Sequence, residues 1–413
     1  MPRPDAMTSQ VPGSSPADGG DRLQEPSQGP SGGGRGRGRI FVLYNTTRWL
    51  YRFRLPLMLA LQEKGYEVYG VSPEDDFVPR LEAAGIPHLS FQMDRKGTNP
   101  LEDMALVARL HRLFRKHRPE LVLAYTIKPN VYGSLAARSL GIPVVNTIPG
   151  LGSLFVRRSP LTFIAKNLYR LGLRRSHTVF FQNDEDLEFF LQTGLVQPEV
   201  AQRIAGSGVD TEFFHPRPER PVGGPFVFLF AGRLLWDKGI GELVEATRIL
   251  RARGLSVESR LLGIFEPNGR AAISPEQVQA WVDEGVVNHL GESDRVVDFM
   301  EDADCIVLPS YYREGLPRSL LEAASMGKPL VAADAPGSRD LVEHGVTGFL
   351  CKVRDAGDLA DQMQKMVELS HEARARMGAA GRALVLREFD QTVVIERYLE
   401  VVEAALAGRT TRP

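Results

Sequence analysis

The stretch PSYYREGLPRSLLEAASMGKPLVAADAPGSRD, Pro309–Asp340, decides how the rest of this chain is read. It follows the short apolar run Cys305-Ile306-Val307-Leu308, whose length and composition are those of a buried parallel strand. A loop holding Glu314 and Gly315 comes next. The pattern then predicts a helix over Pro317–Met326 with Glu322 inside it, a second strand at Pro329–Ala333 and a Gly-containing turn. The first turn of such a helix offers free backbone N–H groups and a positive dipole end, suited to phosphate or sugar oxygens. Glu314 before the helix and Glu322 within it can face one ligand bound over the loop. A carboxylate, with two acceptor oxygens, suits a vicinal diol of the kind a ribose or hexose presents. An isolated Glu-x7-Glu pair reads as two solvated glutamates; the strand, loop, helix and second strand around this one make it a candidate site.

Upstream, Phe226–Ala231 reads as a strand and Ile240–Arg253 as a helix. Between them, Ala231-Gly232-Arg233-Leu234-Leu235-Trp236-Asp237-Lys238-Gly239 lies where a strand's carboxyl end meets the next helix. Arg233 and Lys238 are two cations at the edge of the expected cleft. An Arg fork and a Lys point charge neutralise a diphosphate and the charge that grows on a departing nucleotide. Further strand–helix alternation runs through 256–387. The same rhythm starts once before, with strands at Ile40–Tyr44, Tyr66–Val71, Leu121–Tyr125, Pro143–Thr147 and Thr178–Phe181, and helices at 53–64, 101–118 and 130–140. Alternation of this kind predicts an α/β fold of parallel sheets with right-handed crossovers. Two such halves are expected, 39–205 and 206–389, with residues 390–413 as a terminal helix and tail. Their facing strand ends form an inter-domain cleft.

At 413 residues the chain is long enough for two domains, and its 43% apolar and 24% charged residues are those of a soluble globular protein. Two cysteines exclude a disulfide framework. No apolar run reaches the ~20 residues of a membrane-spanning helix, and the N-terminus has no apolar h-region; a cytoplasmic location is expected. Residues 1–38, rich in Gly, Pro and Ser and ending in GGGRGRGR, read as a disordered tail. Charge is uneven. Residues 39–200 hold 21 Lys and Arg against 15 Asp and Glu, whereas 201–413 hold 25 against 32. A basic half beside an acidic one points to a negatively charged partner for the first. The spacing Asp302-Ala303-Asp304 matches a metal-binding Asp-x-Asp, but it precedes a strand at its amino end, away from the cleft. No metal and no cofactor are expected.

Gly232-Arg233-x4-Lys238-Gly239, the connector Gly206-Ser207-Gly208-Val209-Asp210 and the Glu314-x7-Glu322 block together resemble the family 4 glycosyltransferases, from Ile40 to about Leu406. The resemblance implies a GT-B fold, two facing Rossmann-like parallel-sheet domains. It also implies a nucleotide-diphosphosugar donor, retention of anomeric configuration and no required metal. Residue by residue, it implies that Arg233 and Lys238 hold the diphosphate and Glu322 the ribose hydroxyls. Glu314, with the backbone of Gly315, Leu316 and Pro317, is implied to hold the donor sugar. Arg233, Lys238 and Glu314 are thus the catalytic candidates, and no protein nucleophile is assigned. The terminal helix is implied to cross back onto the N-terminal domain. Two segments depart from the family pattern: Tyr44-Asn45-Thr46-Thr47-Arg48 stands in place of a Gly-Gly turn, and Thr147-Ile148-Pro149-Gly150-Leu151-Gly152 lacks the usual His.

Tyr51–Leu57, Lys128-Pro129-Asn130, Pro149–Gly152 and Tyr311–Gly315 resemble the subgroup that extends polyprenyl-diphosphate-linked sugars, including N-acetylgalactosaminyltransferases acting on undecaprenyl-diphosphate-linked bacillosamine. A UDP-linked N-acetylhexosamine donor and a polyprenyl-diphosphate-linked acceptor are implied. Asn45, Arg54, Lys128, Asn130, Gly150 and Gly152 are the acceptor-side candidates; the two glycines let backbone approach a ligand or simply form a turn. Leu154–Arg175 mixes Arg157, Arg158, Lys166, Arg170, Arg174 and Arg175 with Phe155, Phe163 and Ile164. Such a basic amphipathic segment fits an anionic membrane surface, or an ordinary helix packed on a sheet. A peripheral position on the inner face of the cell membrane, with no nucleic-acid partner, is the resulting expectation. Competing readings are a glycosyltransferase with a soluble acceptor, a UDP-sugar 2-epimerase and an inactive nucleotide-sugar-binding scaffold. A dinucleotide-dependent dehydrogenase is excluded because no Gly-x-Gly-x-x-Gly follows a first strand.

Overall fold

Short runs of Val, Ile, Leu and Phe without polar alternation are stable as strands only when both faces are covered, and this chain builds two parallel sheets from them. The computed structural model describes residues 37–94, 97, 99–151, 160–217, 223–266 and 271–410. Most of the segment read as a tail, together with Gly152, Leu154, Phe155, Arg157 and Arg158, lies outside the described residues.

The first sheet comprises β1 (Arg39–Leu43), β2 (Glu67–Ser72), β3 (His88–Ser90), β4 (Leu121–Tyr125), β5 (Val144–Ile148), β6 (Thr178–Phe181) and β7 (Ala201–Arg203), in the order β3-β2-β1-β4-β5-β6-β7. The second comprises β8 (Phe226–Ala231), β9 (Val257–Leu262), β10 (Val287–His289), β11 (Cys305–Leu308), β12 (Leu330–Ala333) and β13 (Gly348–Cys351), in the order β10-β9-β8-β11-β12-β13. Every named pairing is parallel. In each sheet the strand order reverses beside the first strand, at β1/β4 and at β8/β11. Ligands of open α/β sheets bind at such switch points, outside the carboxyl ends of the strands.

The helices are α1 (Thr47–Glu63), α2 (Val78–Ala83), α3 (Pro100–His117), α4 (Ser134–Arg138), α5 (Pro160–Leu173), α6 (Asp184–Gln192), α7 (Ile240–Ala252), α8 (Pro275–Asp283), α9 (Val296–Glu301), α10 (Arg318–Ser325), α11 (Ala356–Glu368), α12 (His371–Glu388) and α13 (Gln391–Thr410). α1 starts six residues before the apolar periodicity suggests. The cause is Thr46, whose hydroxyl caps the Trp49 N–H at 3.2 Å. The helix expected over 130–140 opens instead with a π-type turn at Pro129–Gly133. Thr126 just before it holds φ +68°, and its carbonyl accepts the Asn130 N–H at 2.9 Å. Among the described residues no helix is long and apolar enough to cross a membrane.

The chain leaves the first half through Ala205–Thr211 and re-enters it after Phe389. Val209 N–H donates to the Phe389 carbonyl and Gln391 N–H to the Val209 carbonyl, both at 2.9 Å, so the outgoing and returning segments run side by side. α13 then lays Val394, Tyr398, Val401, Val402 and Ala405 on the face of the first sheet that carries Tyr125, Val145 and Phe180. The Tyr398 hydroxyl meets Thr147 Oγ1 at 2.7 Å.

Candidate functional site

The site begins where β8 and β11 end. After Ala231 the chain makes one 3-10 turn, Trp236–Lys238, and closes it at Gly239 with φ +76°. A Cβ at Gly239 would lie 2.1 Å from the Pro309 carbonyl oxygen, so only glycine lets the β8 loop rest on the end of β11. The Asp237 carbonyl then accepts the N–H groups of Tyr311 and Tyr312 at 3.1 and 3.0 Å. The two loops become one rigid floor. Lys238 Nζ stands 2.5 Å from Glu314 Oε1, with the side chains only 9% and 17% exposed. The Tyr312 ring lies 5.5 Å from that ammonium and 5.8 Å from the Arg233 guanidinium.

Arg233 donates to Glu266 at 2.8 Å. Burial works against its charge, but Tyr312 and Glu266 more than offset this and hold its pKa above the ordinary value. Pro317 N-caps α10 without a side-chain cap, leaving first-turn N–H groups for a ligand. Glu322, one turn further on, is gripped by Arg318 at 2.6 Å; Arg318 also donates to the Gly208 carbonyl at 3.0 Å.

The first half supplies the opposite wall. Gly150, after β5, has φ +126°, and a Cβ there would lie 2.5 Å from Gly315 N and 2.9 Å from the Glu314 carbonyl carbon. The Asn183 side-chain amide donates to the carbonyls of Glu314 and Gly315 at 3.1 and 3.2 Å. Arg313 donates to Asp186 at 2.9 Å. Elsewhere between the halves Arg48 pairs with Glu292, and Arg52 and Arg80 with Asp294. Arg339 pairs with Glu185, and Arg203 with Asp340. Cations of the first half thus meet carboxylates of the second at Arg48, Arg52, Arg80 and Arg203, and the reverse holds at Arg313 and Arg339.

Two family models match the chain: Glycosyl transferase 4-like over residues 39–183 and Glycosyl transferases group 1 over residues 212–384. The chain belongs to the GT-B glycosyltransferases. The N,N'-diacetylbacillosaminyl-diphospho-undecaprenol alpha-1,3-N-acetylgalactosaminyltransferase of Campylobacter jejuni is 26% identical over 385 residues, covering 89% of this chain and 99% of that protein. The UDP-Gal:alpha-D-GlcNAc-diphosphoundecaprenol alpha-1,3-galactosyltransferase of Escherichia coli is 23% identical over 339 residues, 76% of this chain and 86% of that one. Among solved structures, Anabaena HepE in complex with UDP and glucose superposes with a TM-score of 0.72 at 22% identity, covering 89% of this chain and 99% of HepE.

In this glycosyltransferase the motif residues Arg233, Lys238, Glu314, Gly315, Leu316, Pro317 and Glu322 come together on one side of the cleft, and Gly150 meets them from the other. Asn45 sits at the end of β1, its Oδ1 buried and without a hydrogen-bond partner. Three acceptor-side candidates are engaged within the first half. Asn130 is fully buried and donates to the Thr147 carbonyl at 2.8 Å, tying the turn at Pro129–Gly133 to β5. Lys128 is tied to Asp103 of α3 at 2.8 Å. Arg54 is 2% exposed, its guanidinium 4.0 Å from the Tyr125 ring centre, so α1 turns it into the interior rather than onto the cleft wall. Gly152 lies outside the described residues. The Asp302 and Asp304 carboxylates are engaged elsewhere, with Arg260 at 2.8 Å and the Val227 N–H at 2.7 Å.

Sequence reasoning missed Asn183, Asp186, Glu266, Tyr312 and Thr126. The first two follow a strand end as Asn-x-x-Asp, a helix-cap signal; the cap is real, since Asn183 Oδ1 accepts the Asp186 N–H at 2.8 Å. The contact these residues make with the other half leaves no local trace. Thr126 combines φ +68° with a buried Oγ1 that has no partner, and a β-branched residue there is strained.

Burial, opposed by Arg313, raises the Asp186 carboxyl from 3.8 to about 6. A carboxyl that holds its proton more tightly folded than unfolded adds stability below its unfolded pKa and loses it as pH rises through about 6. Asp186→Asn, which mimics the protonated form, is therefore expected to be more stable than the parent at pH 8, by on the order of 2 kcal/mol. The gap should close as pH falls from about 6 to about 4. Thermal melts across that range test it, and a variant less stable than the parent at pH 8 contradicts it. Asp340, also raised to about 6 by burial despite Arg203, titrates in both proteins and cancels.

Proposed function

We propose that this glycosyltransferase moves an N-acetylhexosamine from a UDP-sugar to a polyprenyl-diphosphate-linked saccharide, with retention at the anomeric carbon and without a metal. The observation that carries the reading is the buried Lys238–Glu314 pair on the β8/β11 floor, with Arg233 beside it. Arg233 and Lys238 take the donor diphosphate, Glu322 the ribose hydroxyls, and Glu314 with the Gly315–Pro317 backbone the donor sugar. The bond from the anomeric carbon to the diphosphate oxygen breaks and a bond to the acceptor oxygen forms on the same face. The acceptor proton passes to the departing diphosphate. The two cations stabilise the charge left there, and the loops supply position. The acceptor class rests on the named activities of the Campylobacter and Escherichia relatives.

A membrane face fits the same reading. Phe163 and Ile164 on α5 are 71% and 52% exposed, and Leu101 and Met104 at the start of α3 are 75% and 70% exposed. Both helices flank the turn at Pro129–Gly133, with Arg109, Lys166 and Arg170 nearby in sequence. Large apolar side chains among cations are how a protein seats on anionic lipid.

The test is nucleoside-diphosphate release from a panel of UDP- and GDP-sugars, with EDTA, in the presence of synthetic polyprenyl-diphosphate saccharides. Acceptor-dependent release from a UDP-N-acetylhexosamine is expected, reduced about 100-fold in Glu322→Ala. The product should carry the donor's anomeric configuration by NMR. Release with soluble sugars alone would sink the lipid acceptor, and UDP binding without any release would turn the reading to the epimerase or the inactive scaffold. Binding to phosphatidylglycerol vesicles should fall in a Phe163→Ser/Ile164→Ser variant.

A further inference from the structure

The loop that holds Glu314 belongs to the second half, yet its backbone is held from the first. Asn183, fully buried, donates to two consecutive carbonyls of that loop, Glu314 and Gly315. Three residues along α6, Asp186, with 1% of its side chain exposed, takes Arg313, the residue before Glu314. The Phe189 ring, 5.7 Å from the Arg313 guanidinium, closes the other side. A donor-sugar loop needs its carboxylate and its backbone N–H groups placed together to within a fraction of an ångström, since catalysis of this kind works by positioning. Within its own half, the loop is fixed at Tyr311 and Tyr312 by Asp237. From Arg313 to Gly315, Lys238 of the same half takes the Glu314 carboxylate, while the two carbonyls and the Arg313 guanidinium are held from α6 and its cap.

We propose that Asn183 and Asp186 are positioning residues for the Glu314–Gly315 loop, clamping the donor-sugar site into working geometry only when the two halves are closed on each other. The assignment deepens the transfer reaction proposed above and rests on it for its rate readout. Neither residue touches substrate. The clamp makes sugar transfer conditional on closure while leaving nucleotide binding, which lies on the β8 loop and α10, to the second half alone. Its charged parts face Glu185 on α6 and Tyr169 on α5 besides Arg313; burial, and to a lesser degree Glu185, raise the Asp186 pKa, and Arg313 and Asn183 oppose them. That arrangement is costly to the fold and is kept for the loop it holds.

Two variants separate the clamp from the fold. Asn183→Ser retains a helix-capping hydroxyl for α6 but is too short to reach the loop carbonyls. Asp186→Asn keeps the shape and removes the charge that holds Arg313. Each is expected to lower kcat about 10- to 100-fold, while calorimetric UDP affinity stays within about threefold and the melting temperature is kept or, for Asp186→Asn, raised. Hydrogen exchange should quicken at the Tyr312 and Glu314 amides in both variants. Parental kcat in both variants, or unchanged exchange at those amides, would overturn the proposal. A fall in UDP affinity and melting temperature in step with kcat would overturn it too, by showing a general structural role. If the parent itself transfers no sugar, the reaction reading falls alone, and the exchange measurement still decides whether the clamp exists.

Discussion

Lys238→Met is expected to lower kcat by about 10²–10³-fold, the effect of removing one preorganised charge from a transition state that leaves a diphosphate behind. The same substitution leaves the Glu314 carboxylate in a part-buried site without its cation. Breaking a buried pair by removing one partner costs about 3–5 kcal/mol, and the residual exposure of both side chains puts this pair toward the lower end. Stability and rate then part company in the double variant. Lys238→Met/Glu314→Gln removes both charges, so its melting temperature should return most of the way to the parent while its rate stays low. A four-protein cycle of melting temperature and kcat measures this. A double variant that regained parental turnover would show the pair to be structural and take the diphosphate from Lys238.

Gly150→Ala should lower kcat at least ~100-fold with UDP affinity nearly unchanged. At φ +126° any side chain is strained, and the added Cβ would meet backbone atoms of Arg313, Glu314 and Gly315, 2.5 to 3.1 Å away, none of which can step aside as a side-chain end can. The two walls of the cleft must part by the width of a methyl group. Calorimetry with UDP beside the transfer rate checks the expectation, because the proposed nucleotide contacts lie on one wall and the proposed transfer needs both. An alanine variant turning over at the parental rate would show that the walls do not need to meet at Gly150 during catalysis.

What the sequence made legible, and what it hid, divides along a physical line. Two parallel-sheet halves follow from apolar runs such as Phe226–Ala231 and Cys305–Leu308, because a strand covered on both faces writes its burial into every residue. The expected donor-side motif is equally local: Arg233, Lys238 and Glu314 sit in loops whose turn residues announce them, and Glu322 sits in the helix that follows. Arg54 misled because an arginine among aromatics reads as surface, whereas α1 begins at the Thr46 cap and turns that position inward. Asn130 reads by its polarity as a ligand contact, while the structure uses it to tie the turn at Pro129–Gly133 to β5. Asn183 and Asp186 announced a helix start and nothing more. Their partners lie more than 120 residues away in the chain, a separation at which no periodicity carries a signal.

The paired crossing at Val209 and Asp390 has a consequence for anyone wishing to dissect the molecule. The last helix belongs by position to the second half and by packing to the first, since it covers Tyr125, Val145 and Phe180. Severing the chain after residue 205 would not yield two self-sufficient fragments. The leading piece would present a bare aromatic sheet face to water and aggregate, and the trailing piece would carry an orphaned greasy rod. A soluble leading fragment calls for residues 391–410 to be grafted back, as a tethered extension or as a peptide in trans. Chimeras between relatives face the same constraint: an exchanged leading half has to bring its own terminal helix with it.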